Sequence, residues 1–169
     1  GNATLVKGCL HAVKYGYAEL LQEAFRREGG IRVLAQQLLP SKDEEIRSVA
    51  MRFLGSLVTT PDDDSNVANA REAQEQGALQ PVVDALQASG EELRQIAASV
   101  VLVMAQLPAP QQAPLVEEFV RLQAGERLLA MVDADGSVLL TRQEAEALGA
   151  LCEHMPAVQA HLAGLGALD

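Results

Sequence analysis

The feature that most constrains this chain is a block that returns along it: a glycine, a short apolar segment, a polar turn and a long apolar run. The clearest copy is Gly77-Ala78-Leu79-Gln80-Pro81-Val82-Val83-Asp84-Ala85-Leu86, then Glu91-Glu92-Leu93-Arg94, then the run from Ile96 to Leu107. Its anchoring glycine has counterparts at Gly30, 47 residues earlier, and at Gly125, 48 residues later, and Gly166 follows at 41. A period in the forties marks stacked helical units, each too small to cover its own apolar face.

The spacing of apolar residues is helical throughout. From Ala3 to Glu28 they fall three or four apart, with Gly16 dividing the segment and Gly29-Gly30 stopping it. Ile31 to Leu39 reads as a short helix with Ile31, Leu34, Leu38 and Leu39 on one side, closed by Pro40. Ser41 and Glu44 have capping-box spacing, and the helix they open runs to about Thr59 with Ile46, Val49, Ala50, Phe53, Leu54 and Leu57 inward. Pro61-Asp62-Asp63-Asp64-Ser65-Asn66 reads as a loop before a helix over residues 67–76. Glu91-Glu92 favour the start of the next helix, whose stretch from Ile96 to Leu107 should be the most buried. Pro108-Ala109-Pro110 ends it, and a short helix follows from Pro114 to Ala124, up to Gly125. A last long helix is expected from about Thr141 to His154, with Ala145, Leu148, Leu151 and Cys152 inside. The repeats divide as a partial 1–29, then 30–76, 77–124 and 125–165, in a single domain or a segment of a longer protein.

Composition narrows the function. A formal charge of −10 argues against nucleic acid and anionic membrane surfaces, which both reward Lys and Arg, and leaves a basic or neutral protein surface as the easier partner. The longest apolar stretch is about half of what a membrane-spanning helix requires, so no membrane insertion is expected. Cys9 and Cys152, at opposite ends of the chain and each in an apolar helical stretch, read as buried thiols. That fits a reducing, intracellular and cytoplasmic location.

Glu28-Gly29-Gly30-Ile31 with Leu38-Leu39, Glu44-Glu45-Ile46-Arg47, and Ala50 through Leu54-Gly55-Ser56-Leu57 recur as Gln76-Gly77-Ala78-Leu79, Glu91-Glu92-Leu93-Arg94, and Ala97 through Met104-Ala105-Gln106-Leu107. Weaker echoes are Ala124-Gly125 with Leu128-Leu129, and Leu148-Gly149-Ala150-Leu151. This order resembles the armadillo repeat, close kin of the HEAT repeat. The resemblance implies an all-α, right-handed superhelical solenoid of about three to four repeats that presents a groove to other proteins. Peptide-binding members place an asparagine one residue before the leucine near the end of the third helix, often with a tryptophan nearby. Here those positions read Ser56, Gln106 and Ala150, with no tryptophan, which argues against extended-peptide capture of the nuclear-import or catenin kind.

The expected role is a non-catalytic interaction scaffold or a structural subunit of a larger assembly, with no cofactor. Arg47, Arg52, Ser56, Arg94 and Gln106 are the candidate partner-binding residues. One alternative is a chaperone-regulating exchange factor of armadillo type; another is a calcium-responsive regulatory domain. The latter rests on residues 133–144, where Asp133, Asp135, Ser137 and Glu144 occupy oxygen-ligand positions of a twelve-residue calcium loop. Val138 stands where that loop needs glycine, so only weak calcium binding by a degenerate loop is expected. His11, His154 and His161 form no metal-ligand spacing, Asp62-Asp63-Asp64 reads as a solvated insertion rather than a docking patch, and Tyr15 and Tyr17 read either as packing residues or as interface anchors.

Overall fold

The computed structural model of the chain describes residues 18–59, 63–130 and 142–152, and all the regular structure among them is helical. The chain divides into two compact units, Gly1–Val82 and Val83–Asp169. The boundary falls inside one short helix.

In the first unit α1 spans Ala18–Arg27, α2 spans Gly30–Val33 and continues as a π turn over Leu34–Leu38, α3 spans Glu44–Leu57 and α4 spans Asp63–Glu75. The chain leaves α1 through Gly29, whose φ of 74° belongs to the left-handed region that glycine enters without strain. Gly30 has a different task. A Cβ there would lie 2.5 Å from carbons of the Phe25 ring, so its hydrogen lets the ring lie on the backbone. Phe25 then meets Phe53 edge to face, with centroids 4.9 Å apart and planes at 86°. Around this pair Ile31, Leu34, Leu38, Leu39, Ala50, Met51, Leu54, Leu57 and Val58 are buried. In the π turn, Leu39 N donates to Leu34 O at 2.9 Å, a bond reaching five residues back.

Two local expectations change here. The N-cap of α3 is Asp43, whose side chain accepts from Glu45 N at 2.9 Å and Ile46 N at 3.3 Å, while Ser41 Oγ accepts from Asp43 N at 3.1 Å. A carboxylate beside the first helical residue caps and also neutralises the positive end of the helix, so Asp43 takes the position expected of the Ser41 and Glu44 box. Met51 is fully buried and Ile46 and Val49 only half-buried, which turns the α3 stripe from its expected direction. The expected loop is also shorter, because α4 begins at Asp63 within the acidic run, where negative charge favours a helix start. Asn66 and Asn69 face inward, and Asn69 Nδ2 donates to Leu57 O at 2.7 Å, satisfying a carbonyl at the end of α3.

Helix α5, Leu79–Ala85, follows the left-handed Gly77 at φ 78°. In the second unit α6 spans Glu91–Ala105, α7 Gln112–Arg121, α8 Ala124–Leu129 and α9 Arg142–Cys152. Helix α6 buries Leu93, Ile96, Ala97, Ala98, Val100, Val101, Met104 and Ala105, more than any other helix described, as its all-round apolar sequence demands. Pro114 falls in the first turn of α7, where its missing N–H is harmless. The break expected at Gly125 lies two residues earlier: Gln123 carries φ 61°, and Gly125 is buried inside α8. Helix α9 packs chiefly on α6 through Ala147, Leu148, Leu151 and Cys152. Ala145, expected inside, is exposed, whereas its neighbour Glu144 is buried.

Candidate partner-binding surface

The long helices α3 and α6 bury the same columns at a constant offset of 47 residues: Ala50 and Ala97, Met51 and Ala98, Phe53 and Val100, Leu54 and Val101, Leu57 and Met104, Val58 and Ala105. The same offset carries α6 onto α9, where Val100, Val101, Met104 and Ala105 match the buried Ala147, Leu148, Leu151 and Cys152. Fixing the buried columns fixes the solvent-facing ones. One holds the exposed Arg52 and Glu146 with the half-buried Ser99; the next holds the exposed Gly149 with the half-buried Gly55 and Leu102; a third, half-buried throughout, holds Ser56, Val103 and Ala150.

The candidate residues take distinct places in this frame. Arg47 and Arg94 are 47 residues apart and both half-buried. Arg94 is engaged internally, with Nη1 donating to Ala88 O at 3.3 Å and Nε 3.5 Å from Glu144 Oε1. Arg52 is exposed on α3. Ser56 Oγ donates to Phe53 O at 2.7 Å, and its carbonyl accepts from the buried Gln22 Nε2 at 3.3 Å, so both groups serve the protein's own packing. Gln106 is exposed at the C-cap of α6. By the buried columns its counterpart is Thr59, and Val103 is the residue in register with Ser56. The half-buried column therefore carries serine, valine and alanine, and no side-chain amide with which to grip a peptide backbone.

Of the calcium-loop residues, Asp133, Asp135 and Ser137 lie outside the described residues, as do Cys9, His11, Tyr15, Tyr17, His154, His161, Pro61 and Asp62. Glu144 is described: its side chain is fully buried against Arg94. Among the described residues no group of three His, Cys, Asp or Glu side chains could hold a metal ion, and no helix is long and apolar enough to cross a membrane. The Cys152 thiol is pushed above its ordinary pKa by burial, which keeps it neutral and a poor nucleophile. Glu118 is held below the usual carboxylate range, first by its hydrogen bonds from Arg121, whose Nε lies 2.9 Å away.

The polar residues that the sequence left unremarked are mostly those that join elements. Arg127 Nη1 donates to Asp84 Oδ1 at 2.9 Å, Gln87 Oε1 at 3.3 Å and Val83 O at 3.4 Å, placing a cation at the C-terminal end of α5. Gln36 reaches Gln76 at 3.4 Å. A signal existed for Asn66 and Asn69, which fall at helical spacing with Ala70 and Ala73 on the buried side of α4.

No family model and no curated protein sequence matches this chain. Solved structures do. A computationally designed armadillo repeat protein made for modular peptide recognition superposes with a TM-score of 0.71 at 18% identity, over 98% of this chain and 64% of its own. A designed armadillo repeat protein in complex with the peptide (KR)4 gives 0.70 at 16%, again over 98% and 64%. An engineered protein gives 0.65 at 21%, over 87% of this chain and 55% of that one. The chain thus spans between about two fifths and two thirds of the structures it matches. Its fold is an armadillo-like repeat solenoid, as the recurring block had implied.

Proposed function

We propose that the protein is a non-catalytic scaffold that binds another protein on the solvent-facing side of its long helices. In the second unit that surface consists of the half-buried Ser99, Leu102 and Val103 and the exposed Gln106 on α6, with the exposed Glu146 and Gly149 on α9. The observation that supports this most is the constant 47-residue offset, which sets the buried side chains of successive long helices in common columns and leaves the columns between them partly or fully open to solvent. On α3 the corresponding candidates are Arg47, Arg52 and Ser56.

Charge indicates the partner. Residues 83–169 hold four Lys and Arg against twelve Asp and Glu, whereas residues 1–82 hold nine against eleven. In the second unit Arg94, Arg121 and Arg127 are each taken up by a carboxylate, Glu144, Glu118 and Asp84. Setting those three pairs aside leaves nine carboxylates against Arg142 in residues 83–169, a balance that suits a basic partner. That agrees with the basic peptide in one of the similar designed proteins. Without side-chain amides in the half-buried column, affinity should come from side chains and charge. Titrating fluorescent (KR)4 and a (DE)4 control, at low and at high salt, tests the reading. It predicts salt-sensitive binding of (KR)4 alone, weakened by Glu146→Lys or Leu102→Lys; equal binding of both peptides, or of neither, would refute it. Calcium responsiveness gains nothing from Glu144, whose carboxylate is beside Arg94, and a thermal scan with and without calcium checks it directly.

A further inference from the structure

Glu144 is an anomaly in the repeat. The 47-residue offset puts it in the column of Ala50 and Ala97, both fully buried, and Glu144 is itself 0% exposed. A carboxylate has replaced an alanine in a column that otherwise excludes charge. Its position against α6 puts Oε1 3.5 Å from Arg94 Nε, and Arg94 is steadied in turn by its Nη1 bond to Ala88 O. The other buried groups among the described side chains of α9 are Ala147, Leu148, Leu151 and Cys152, and every buried side chain of α6, the helix it chiefly packs on, is apolar, alanine or aliphatic. Small and aliphatic side chains of this kind discriminate poorly between axial positions. If α9 slid one helical turn along α6, about 5.4 Å, it would exchange one aliphatic contact for another. The same slide would remove the Glu144 carboxylate from its countercharge while keeping it buried, which is heavily penalised.

We infer that Arg94 and Glu144 form a register lock, which fixes the axial position of α9 on α6 at some expense of stability. A single buried polar or ionic group that selects one alignment among near-equivalent apolar ones is the best-attested use of such groups. The lock also sets where Glu146 and Gly149 stand relative to Ser99 and Leu102, and so fixes the outward columns of the second unit.

The test places spin labels at the exposed Gln106 and Ala145 in the full chain, with Cys9 and Cys152 changed to alanine, and reads the distance between them. The label pair should give one narrow distance distribution. Glu144→Ala, which restores the alanine of the other two blocks, should leave the protein folded and at least as stable to urea, yet broaden the distribution or split it into populations several ångströms apart. The reversed pair Arg94→Glu with Glu144→Arg should restore a single narrow distance. Arg94→Ala alone should lower the urea midpoint, and adding Glu144→Ala should recover it. A single narrow distance in Glu144→Ala overturns the inference. So does a midpoint in Glu144→Ala as low as that of Arg94→Ala, because the pair would then be a net source of stability.

Discussion

The two units follow one plan with different chemistry. The first is joined by neutral groups: Gln22 to the Ser56 carbonyl, Asn69 to the Leu57 carbonyl, Gln36 to Gln76, and two phenylalanines meeting over Gly30. The second is joined by arginines, Arg94 to Ala88 and Glu144, and Arg127 to Val83, Asp84 and Gln87. A neutral amide and a guanidinium can both satisfy the last carbonyls of a helix, but only the guanidinium brings an electric field with it. The difference predicts that the contacts joining helices should respond more strongly to salt in the second unit than in the first.

The largest effect expected is Phe53→Ala, which opens a cavity beneath Phe25 in the most aromatic part of the molecule and should cost about 4 kcal/mol by urea denaturation. Val101→Ala, in an aliphatic layer of the second unit, should cost about 2 kcal/mol. An equal loss at the two sites would erase the distinction between the cores. Gly30→Ala should cost about 2 kcal/mol because the new methyl displaces the Phe25 ring. Gly77→Ala meets no atom within 4 Å and should lose only the left-handed preference, about 1 kcal/mol.

The contrast between amide and arginine is sharpened by a pair of surface-to-core changes. Asn69→Ala leaves a buried carbonyl unmet and should cost about 2 kcal/mol at any ionic strength. Arg127→Ala, whose partner Asp84 is half exposed, should cost about 1 kcal/mol at low salt and visibly less in 1 M NaCl. Native-state hydrogen exchange in the two units reads each effect where it falls. A similar salt slope for both substitutions would end the comparison.

Smaller effects belong to Cys152 and Gln123. Burial raises the pKa of the Cys152 thiol, so the unfolded chain releases that proton first. The contribution to stability is therefore complete below the ordinary thiol range and falls as the pH climbs from that range through the raised value. Alkylation of the native protein should be slow near neutrality, and Cys152→Ala should flatten the alkaline side of a stability profile. Gln123→Gly should gain about 0.5 kcal/mol by relieving the one left-handed non-glycine residue among those described.

The fold was legible because the apolar pattern repeats. Ile31, Leu34, Leu38 and Leu39 are buried as the spacing required, and the run beginning at Ile96 lies in the most buried helix. Legibility failed where polar residues do structural work. Asp43 outranked Ser41 as a cap because a carboxylate interacts with the helix end as well as bonding to it. Residues 63–66 read as loop because Asp63 and Asp64 suggested solvent, yet the same charge favours the first turn of α4. Of the candidate surface, Arg52 and Gln106 are exposed, but Gln106 is in register with Thr59 and not with Ser56, where the sequence had set it. Arg94 was legible as a helix-face cation but not as the partner of Glu144, because that contact joins residues 50 apart on different helices.

The π turn at Leu34–Leu38 has a consequence for how such a chain can change length. Fourteen residues separate the left-handed Gly29 from the cap Asp43, and thirteen separate Gly77 from Gly90. Before the turn, buried Leu34 corresponds to Val82 at an interval of 48; after it, buried Leu39 corresponds to Leu86 at 47. The widened turn swallows the surplus residue on the spot, so neither flanking helix has to rotate. Excising Gln36 or Gln37 should simply tighten that turn into ordinary α-helix, which makes this stretch an expansion joint where the chain tolerates insertion or deletion without disturbing its cadence.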